Sequence, residues 1–287
     1  MATPNNLKNI EINGRQLHYI EQGGDGHQTP AIIFIHGGLD DYRCWQFQID
    51  SFSSKYHIIS YSRRLAYPNR WIGNVVTDNT VEENAKDLAE LIQKLDLAPA
   101  HLVGASYGAY IALYCVSKNL ELAKTMVLNE PPILSFLARS PMKDDVELLQ
   151  RFRTRVQSST EDAFKRGDVK KAAQIFINRI MDIENFFEQL SERDKQLLMD
   201  NAKSLEGELE SAQPPSFSVE DVKRMTTPTL LVKGELSPKF FHRISDILSD
   251  NMPKNTGEIV IPNASHDNVK FTNIFSSKVM EFFAKNS

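Results

Sequence analysis

Cysteine is nearly absent. Cys44 and Cys115, the two in 287 residues, are too few for a disulfide framework and form no metal-ligand cluster. A reducing compartment, the cytoplasm, is the simpler expectation. No apolar run approaches the roughly 18 residues of a membrane-spanning helix, so no membrane association is expected. The N-terminal MATPNNLKNIEING lacks the basic-then-apolar order of a secretory signal. Basic residues are not in excess. Lys and Arg number 33 against 37 Asp and Glu, a net charge of −4, which excludes the electrostatic footprint of a nucleic-acid binder. Internal repeats and low-complexity tracts are missing too. What remains is a chain with 41% hydrophobic residues, sized for one large domain or one domain with an insertion. Nothing in the pattern specifies an oligomeric state.

What is present alternates in type. An Asn13-Gly14 turn opens a hairpin. AIIFIHGG (31–38) and YHIISYS (56–62) read as strands buried on both faces. VEENAKDLAELIQKLDL (81–97) reads as a helix, with Val81, Ala85, Leu88, Ile92 and Leu95 on one face and Thr80 as its cap. HLVGAS (101–106) is a strand, YGAYIALYCVSK (107–118) an apolar helix, and KTMVLNE (124–130) a strand again. Strand-like runs then stop until TPTLLVKGE (227–235), a helix at Lys239–Leu248, a strand GEIVIP (257–262) and a terminal helix from about Phe271. This predicts an α/β chain with a mainly parallel, doubly wound sheet. Residues 1–132 and 214–287 form its core. Residues 133–213 are an inserted helical cap, left through the proline-marked AQPPSF (212–217).

Gly104-Ala105-Ser106-Tyr107-Gly108 stands where a strand turns into a helix. Gly-x-Ser-x-Gly at such a junction holds the serine in a tight turn with its hydroxyl thrust out of the sheet. It is also compatible with an ordinary small-residue turn. The Tyr107 N–H, at the helix start, points at negative charge developing beside Ser106. A second amide is expected from the glycine pair after the 31–35 strand: that of Gly38, or alternatively of Leu39. His36 reads as a packed structural side chain. Of seven histidines, His266 alone follows a late buried strand and precedes a helix. That places it at the carboxyl end of the sheet, level with Ser106.

One residue resists this reading. MVLNEPPIL (126–134) is an apolar strand that ends in Glu130. A buried carboxylate is costly unless something pairs with it.

These motifs together resemble the α/β-hydrolase fold family. The likeness covers nearly the whole chain outside the middle insertion, through His36-Gly37-Gly38, the Gly104–Gly108 turn, the strand with Gly234, and Ala264-Ser265-His266. It implies a serine nucleophile, then an acid, then a histidine. The family's acid is most often an Asp after the strand that follows the cap. Here that position, in Gly234-Glu235-Leu236-Ser237-Pro238, holds Ser237. Serine cannot stabilise an imidazolium as a carboxylate does; in serine proteases losing that charge costs about 10⁴ in kcat. Some members take the acid from the end of the strand beside the nucleophile. The combination of Glu130-Pro131 with Ser237-Pro238 is similar to that of zearalenone-type lactone hydrolases. The resemblance thus implies Ser106, Glu130 and His266 as the triad, with Glu235 as rival acid.

The implied activity is cleavage of a carboxylic ester or lactone of an apolar, medium-sized substrate through an acyl-enzyme. No cofactor and no metal is required. A lyase on the same scaffold, or a ligand receptor or interaction protein with slow or no turnover, remains the alternative. Arg63 and Arg64 in YSRRLAYPNRW (61–71) either reach the site or hold their loop by ion pairs and backbone bonds. Asp40 and Asp41 read as loop caps. Ile180, Met181, Ile183, Phe186 and Phe187 either pack between helices or line a pocket.

Overall fold

The computed structural model describes residues 6–24, 29–69, 78–210, 217–254, 256–267, 269 and 272–286. Its strands are β1 (Leu7–Ile12), β2 (Arg15–Gly23), β3 (Ala31–Ile35), β4 (His57–Tyr61), β5 (Ala100–Ala105), β6 (Ala123–Asn129), β7 (Thr229–Gly234) and β8 (Gly257–Ile261). Among the described residues they form one sheet in the order β1-β2-β4-β3-β5-β6-β7-β8. The Asn13-Gly14 turn, both residues at positive φ, makes β1 and β2 an antiparallel hairpin. β2 is also antiparallel to β4; from there onward every pairing is parallel. The expected doubly wound α/β architecture is the observed one.

The helices before the sheet's midpoint are α1 (Gln46–Phe52), α2 (Val81–Lys94) and α3 (Tyr107–Lys118). Between β6 and β7 lie α4 (Leu134–Ala138), α5 (Lys143–Phe152), α6 (Ser159–Lys165), α7 (Val169–Met181), α8 (Phe186–Gln189), α9 (Glu192–Asn201), α10 (Ser204–Glu210) and α11 (Val219–Lys223). α12 (Lys239–Asn251) and α13 (Thr272–Lys285) complete the chain. Thr80 caps α2 by accepting the Glu83 N–H at 3.1 Å. Residues 212–216 of the proline-marked exit, Phe271 and the expected 213/214 boundary lie outside the described residues.

Strand alternation explains the layers. β3 is buried at every residue because its side chains leave to both faces. Ile33 and Ile35 join the core under α2, α3 and α12. Ile32 and Phe34 join the opposite core, with α1 and α13. The helices between β6 and β7 divide in two. Phe136, Leu137, Leu149 and Phe152 extend the first core, Phe152 packing on Phe240 at 5.0 Å between ring centroids. The later helices build a core of their own from Ala163, Phe164, Ala173, Leu198, Leu205 and Leu209. Among the described residues, one from outside enters it: Leu39, from the turn after β3.

Parallel pairing brings the carboxyl ends of β3, β5, β6 and β7 to one edge. The residues that follow them are therefore neighbours: His36, Ser106, Glu130 and Glu235. Ligands of open α/β sheets bind at such an edge.

Candidate active site

Ser106 sits between β5 and α3 with φ 51° and ψ −121°, a conformation that L-residues seldom adopt. Its N–H donates to the Asn129 carbonyl at 2.7 Å, which fastens the turn to β6. The helix can approach this closely because Gly108 lacks a side chain: a Cβ there would lie 2.3 Å from the Ile35 carbonyl oxygen. The Ser106 hydroxyl carries no hydrogen bond to a described residue. Together with His266 it lines a cavity of about 220 Å³.

Glu130 is fully buried, and it too has positive φ, at 47°. Its N–H donates to the Val232 carbonyl at 3.2 Å, where β6 runs beside β7. Its Oε1 accepts the Gly234 N–H at 2.8 Å. Its Oε2 meets His266 Nδ1 at 2.5 Å. Both carboxylate oxygens are thus satisfied away from water, which removes the objection to burying them. A carboxylate only accepts, so Nδ1 is the donor in this contact, and the neutral tautomer that fits it leaves Nε2 as an acceptor. The His266 ring lies flat on Phe241, with centroids 3.9 Å apart and planes 10° apart. The loop bearing His266 approaches β7 closely. A Cβ on Gly234 would lie 2.4 Å from the Ser265 carbonyl oxygen and 2.8 Å from Ser237 Oγ.

The rival acid is elsewhere. Glu235 is exposed, and its Oε2 accepts the Asn263 N–H at 2.9 Å. Ser237 is buried, and its hydroxyl has no hydrogen-bond partner among the described residues.

The loop after β3 is held from behind. His36 is fully buried and bridges its own loop to β4's. Its Nδ1 donates to Gly37 O at 2.9 Å, and its Nε2 accepts the Arg63 N–H at 2.9 Å. Burial, and secondly the charge of Arg63, push its pKa well below the ordinary histidine value, so the ring is neutral. Gly37 and Gly38 line the cavity beside Ser106; Tyr107, half-buried, sends its hydroxyl to the Asn79 carbonyl at 3.0 Å. Asp41 caps the turn at Tyr42–Trp45 by accepting the Arg43 N–H at 2.9 Å.

Of the two arginines, Arg64 is scaffold: it grips Asp87 with two bonds of 2.6 Å. Arg63 bonds the His36 and Gly37 carbonyls and Glu208. The apolar stretch after residue 180 splits. Ile180, Met181 and Phe186 line the cavity, Phe187 packs among helices, and Ile183 faces solvent. The physical reason is Asp182, whose left-handed φ of 52° ends α7 and breaks the helical phase.

Sequence reasoning did not find Phe241, Trp45, Phe176, Leu197 or Val269 near this cavity. Their contacts are long-range, and their spacing is that of ordinary core residues. The described residues contain no helix long and apolar enough to cross a membrane and no cluster of potential metal ligands.

Comparisons with known proteins bear on the family and the fold. A segment of 163 residues is 28% identical to (E)-2-((N-methylformamido)methylene)succinate hydrolase of Acinetobacter baylyi, covering 56% of this chain and 59% of that protein. Over 179 residues it is 22% identical to an uncharacterised hydrolase of Bacillus subtilis, covering 62% and 64%. The chain thus spans less than two thirds of these curated relatives. Among solved structures, a thermophilic esterase from Thermogutta terrifontis superposes with a TM-score of 0.74 at 18% identity, over 97% of this chain and 99% of that one. That likeness shows the fold. The profile of the alpha/beta hydrolase family matches residues 32–272, more than half of the sequence, and the chain belongs to that family.

Proposed function

We propose that the chain is a serine hydrolase that cleaves a carboxylic ester or lactone of an apolar, medium-sized molecule. The observation that carries this reading is the fully buried Glu130 carboxylate on Nδ1 of an imidazole that shares a cavity with Ser106. No packing requirement explains that pairing. It is what a base needs in order to present Nε2 and to tolerate becoming charged.

In this reading His266 Nε2 takes the Ser106 proton as Oγ attacks the carbonyl carbon. The tetrahedral oxyanion is met by the N–H groups of Gly38 and Tyr107, each donor of this kind being worth about 2.7–4 kcal/mol. The carbon–oxygen bond to the alcohol breaks, and the imidazolium protonates the leaving oxygen. Water then repeats the sequence on the acyl-enzyme, releasing the acid and restoring Ser106. In a lactone the leaving alcohol stays tethered to the acyl group. Glu130 orients the ring and stabilises its charged form throughout.

Phe176, Ile177, Ile180, Met181 and Leu198 give the cavity apolar walls, which favours an apolar acyl or alcohol part. The naming of the structural relative as an esterase and of the curated ones as hydrolases agrees with this class.

The test is a fluorophosphonate probe, together with a panel of aryl esters, alkyl esters and lactones. Wild type is expected to label and to turn over at least one class. Ser106→Ala is expected to do neither, a loss on the order of 10⁶ in kcat. A folded wild type that never labels would sink the reading in favour of a receptor or interaction protein.

A further inference from the structure

We propose that Arg63 is a positioning residue for the oxyanion loop, and that Glu208, from α10, is what holds it there. The assignment rests on the ester-hydrolase reading for its catalytic consequence and on geometry for everything else.

Arg63 is 2% exposed. Its Nε donates to the His36 carbonyl at 3.1 Å and its Nη2 to the Gly37 carbonyl at 2.8 Å. The guanidinium is a rigid fork, so two successive peptide planes are set by one group. A trans peptide points its C=O and N–H in opposite directions. With the Gly37 oxygen turned to Arg63, the Gly38 N–H faces the other way. Gly37 and Gly38 line the cavity, and Arg63 is not among its lining residues. The Gly38 N–H has no acceptor among the described residues, as an amide reserved for a substrate oxygen requires.

Arg63 does not hold itself. Its Nη2 also donates to Glu208 Oε1 at 2.6 Å, and Glu208 is buried. The other carboxylate oxygen, Oε2, lies 2.7 Å from where a Gly38 Cβ would be. Negative charge on that carboxylate opposes negative charge gathering at Gly38. Arg63 cancels it. The rest of the loop is tied to the same helices. Leu39 enters their core, Asp41 Oδ2 accepts the Asn201 side-chain N–H at 2.7 Å, and Arg43 pairs with Asp200 at 2.8 Å. The helices between β6 and β7 are thus part of the oxyanion site's foundation. Moving α9 and α10 off the sheet as a lid would dismantle it.

The experiment compares wild type with Arg63→Met, Glu208→Gln, the double variant Arg63→Met/Glu208→Gln and Arg63→Lys. The substrate is the aryl ester wild type turns over fastest, and melting temperature is followed in parallel. The double variant removes both members of the Arg63–Glu208 pair, so it separates positioning from the cost of breaking that pair. Expected are a fall in kcat of about 10–10²-fold in Arg63→Met and in the double variant, KM within about threefold, and a similar slowing of fluorophosphonate labelling. Arg63→Lys keeps the charge without the fork and recovers part of kcat. A folded double variant with kcat within about threefold of wild type would overturn the proposal, since the loss in Arg63→Met would then come from breaking the ion pair and not from the lost clamp. The amide NMR signal of Gly38 is a readout independent of turnover. It is expected to shift in the double variant, and an unchanged signal overturns the clamp. A wild type inert toward every ester sinks the hydrolase reading instead, and the Gly38 signal still decides the clamp.

Discussion

The loops after β6 and β7 begin alike and end in opposite roles. Asn129-Glu130-Pro131-Pro132 and Gly234-Glu235-Leu236-Ser237-Pro238 each leave a parallel strand through a glutamate and reach a proline. The strands are adjacent. Yet Glu130 is fully buried on His266, while Glu235 is exposed and caps the backbone at Asn263. Backbone geometry makes the difference. Glu130 has positive φ, which keeps its side chain inside the edge, between β7 and the histidine loop. An ordinary residue adopts that conformation at a cost of about 1–3 kcal/mol, and the bonds to Gly234, Val232 and His266 over-determine it. Residue type and neighbourhood in the sheet do not assign the role of a carboxylate. Burial with a specific partner does.

The largest expected effect breaks the comparison at its buried member. Glu130→Gln keeps the shape, and its amide oxygen can still accept from His266 Nδ1, but the negative charge is lost. In the proposed mechanism, the imidazolium formed as Ser106 reacts is then uncompensated in a dry site. Steady-state kinetics on the best ester are expected to show kcat down by about 10²–10⁴ with little change in KM.

A second, smaller effect transfers the role between the loops. Ser237, Glu130 and the histidine loop converge around Gly234, and the Ser237 hydroxyl is buried without a partner among the described residues. A carboxylate introduced there has a cation-forming ring nearby and unspent room for a bond. Ser237→Asp in the Glu130→Gln background is expected to recover about tenfold of the lost kcat, a gain of roughly 1.4 kcal/mol in the transition state. In the wild-type background the same change sets a second carboxylate beside the first, and like charges resist joint ionisation. Melting temperature is expected to drop there without any gain in rate. No recovery in a folded double variant would show that position 237 cannot serve His266 in this chain.

How much of this the sequence makes legible follows from range. β3, β5, β6 and β7 were readable from their apolar runs, because burial on both faces writes itself as consecutive β-branched residues. The positions of Ser106 after β5 and of His266 after β8 were readable from the order of strands and helices. Glu130 was readable as a misfit, since a strand that must be dry ended in a charge. The helix predicted over 81–97 stops at Lys94; Leu95 and Asp96 turn the chain, Asp96 at positive φ. Other features depend on which segments meet, and no local period records that. Phe241 on His266 joins α12 to the last loop. Arg63 on Glu208 joins residues 145 positions apart. The stretch 180–187 left packing and pocket-lining both open for a local reason, because one left-handed residue resets the helical phase.

The smallest expected effect concerns the exposed member of the pair, and it sharpens the comparison most. Glu235 accepts one backbone N–H, and a glutamine oxygen can accept the same bond. Glu235 faces solvent, where the lost charge was already screened. Glu235→Gln is therefore expected to leave kcat within about threefold of wild type, the scale of the ~0.5 kcal/mol common to exposed substitutions. Measured beside Glu130→Gln on the same ester, it asks whether a glutamate at a strand end matters as such or only when buried on the imidazole. The reverse ranking, a mild Glu130→Gln and a crippling Glu235→Gln, would mean that the working enzyme draws Glu235 inward and draws the acid from the strand after the helical segment. Equal, small effects would mean that neither carboxylate supports charge on His266, and the hydrolytic mechanism would lose the contact on which it was built.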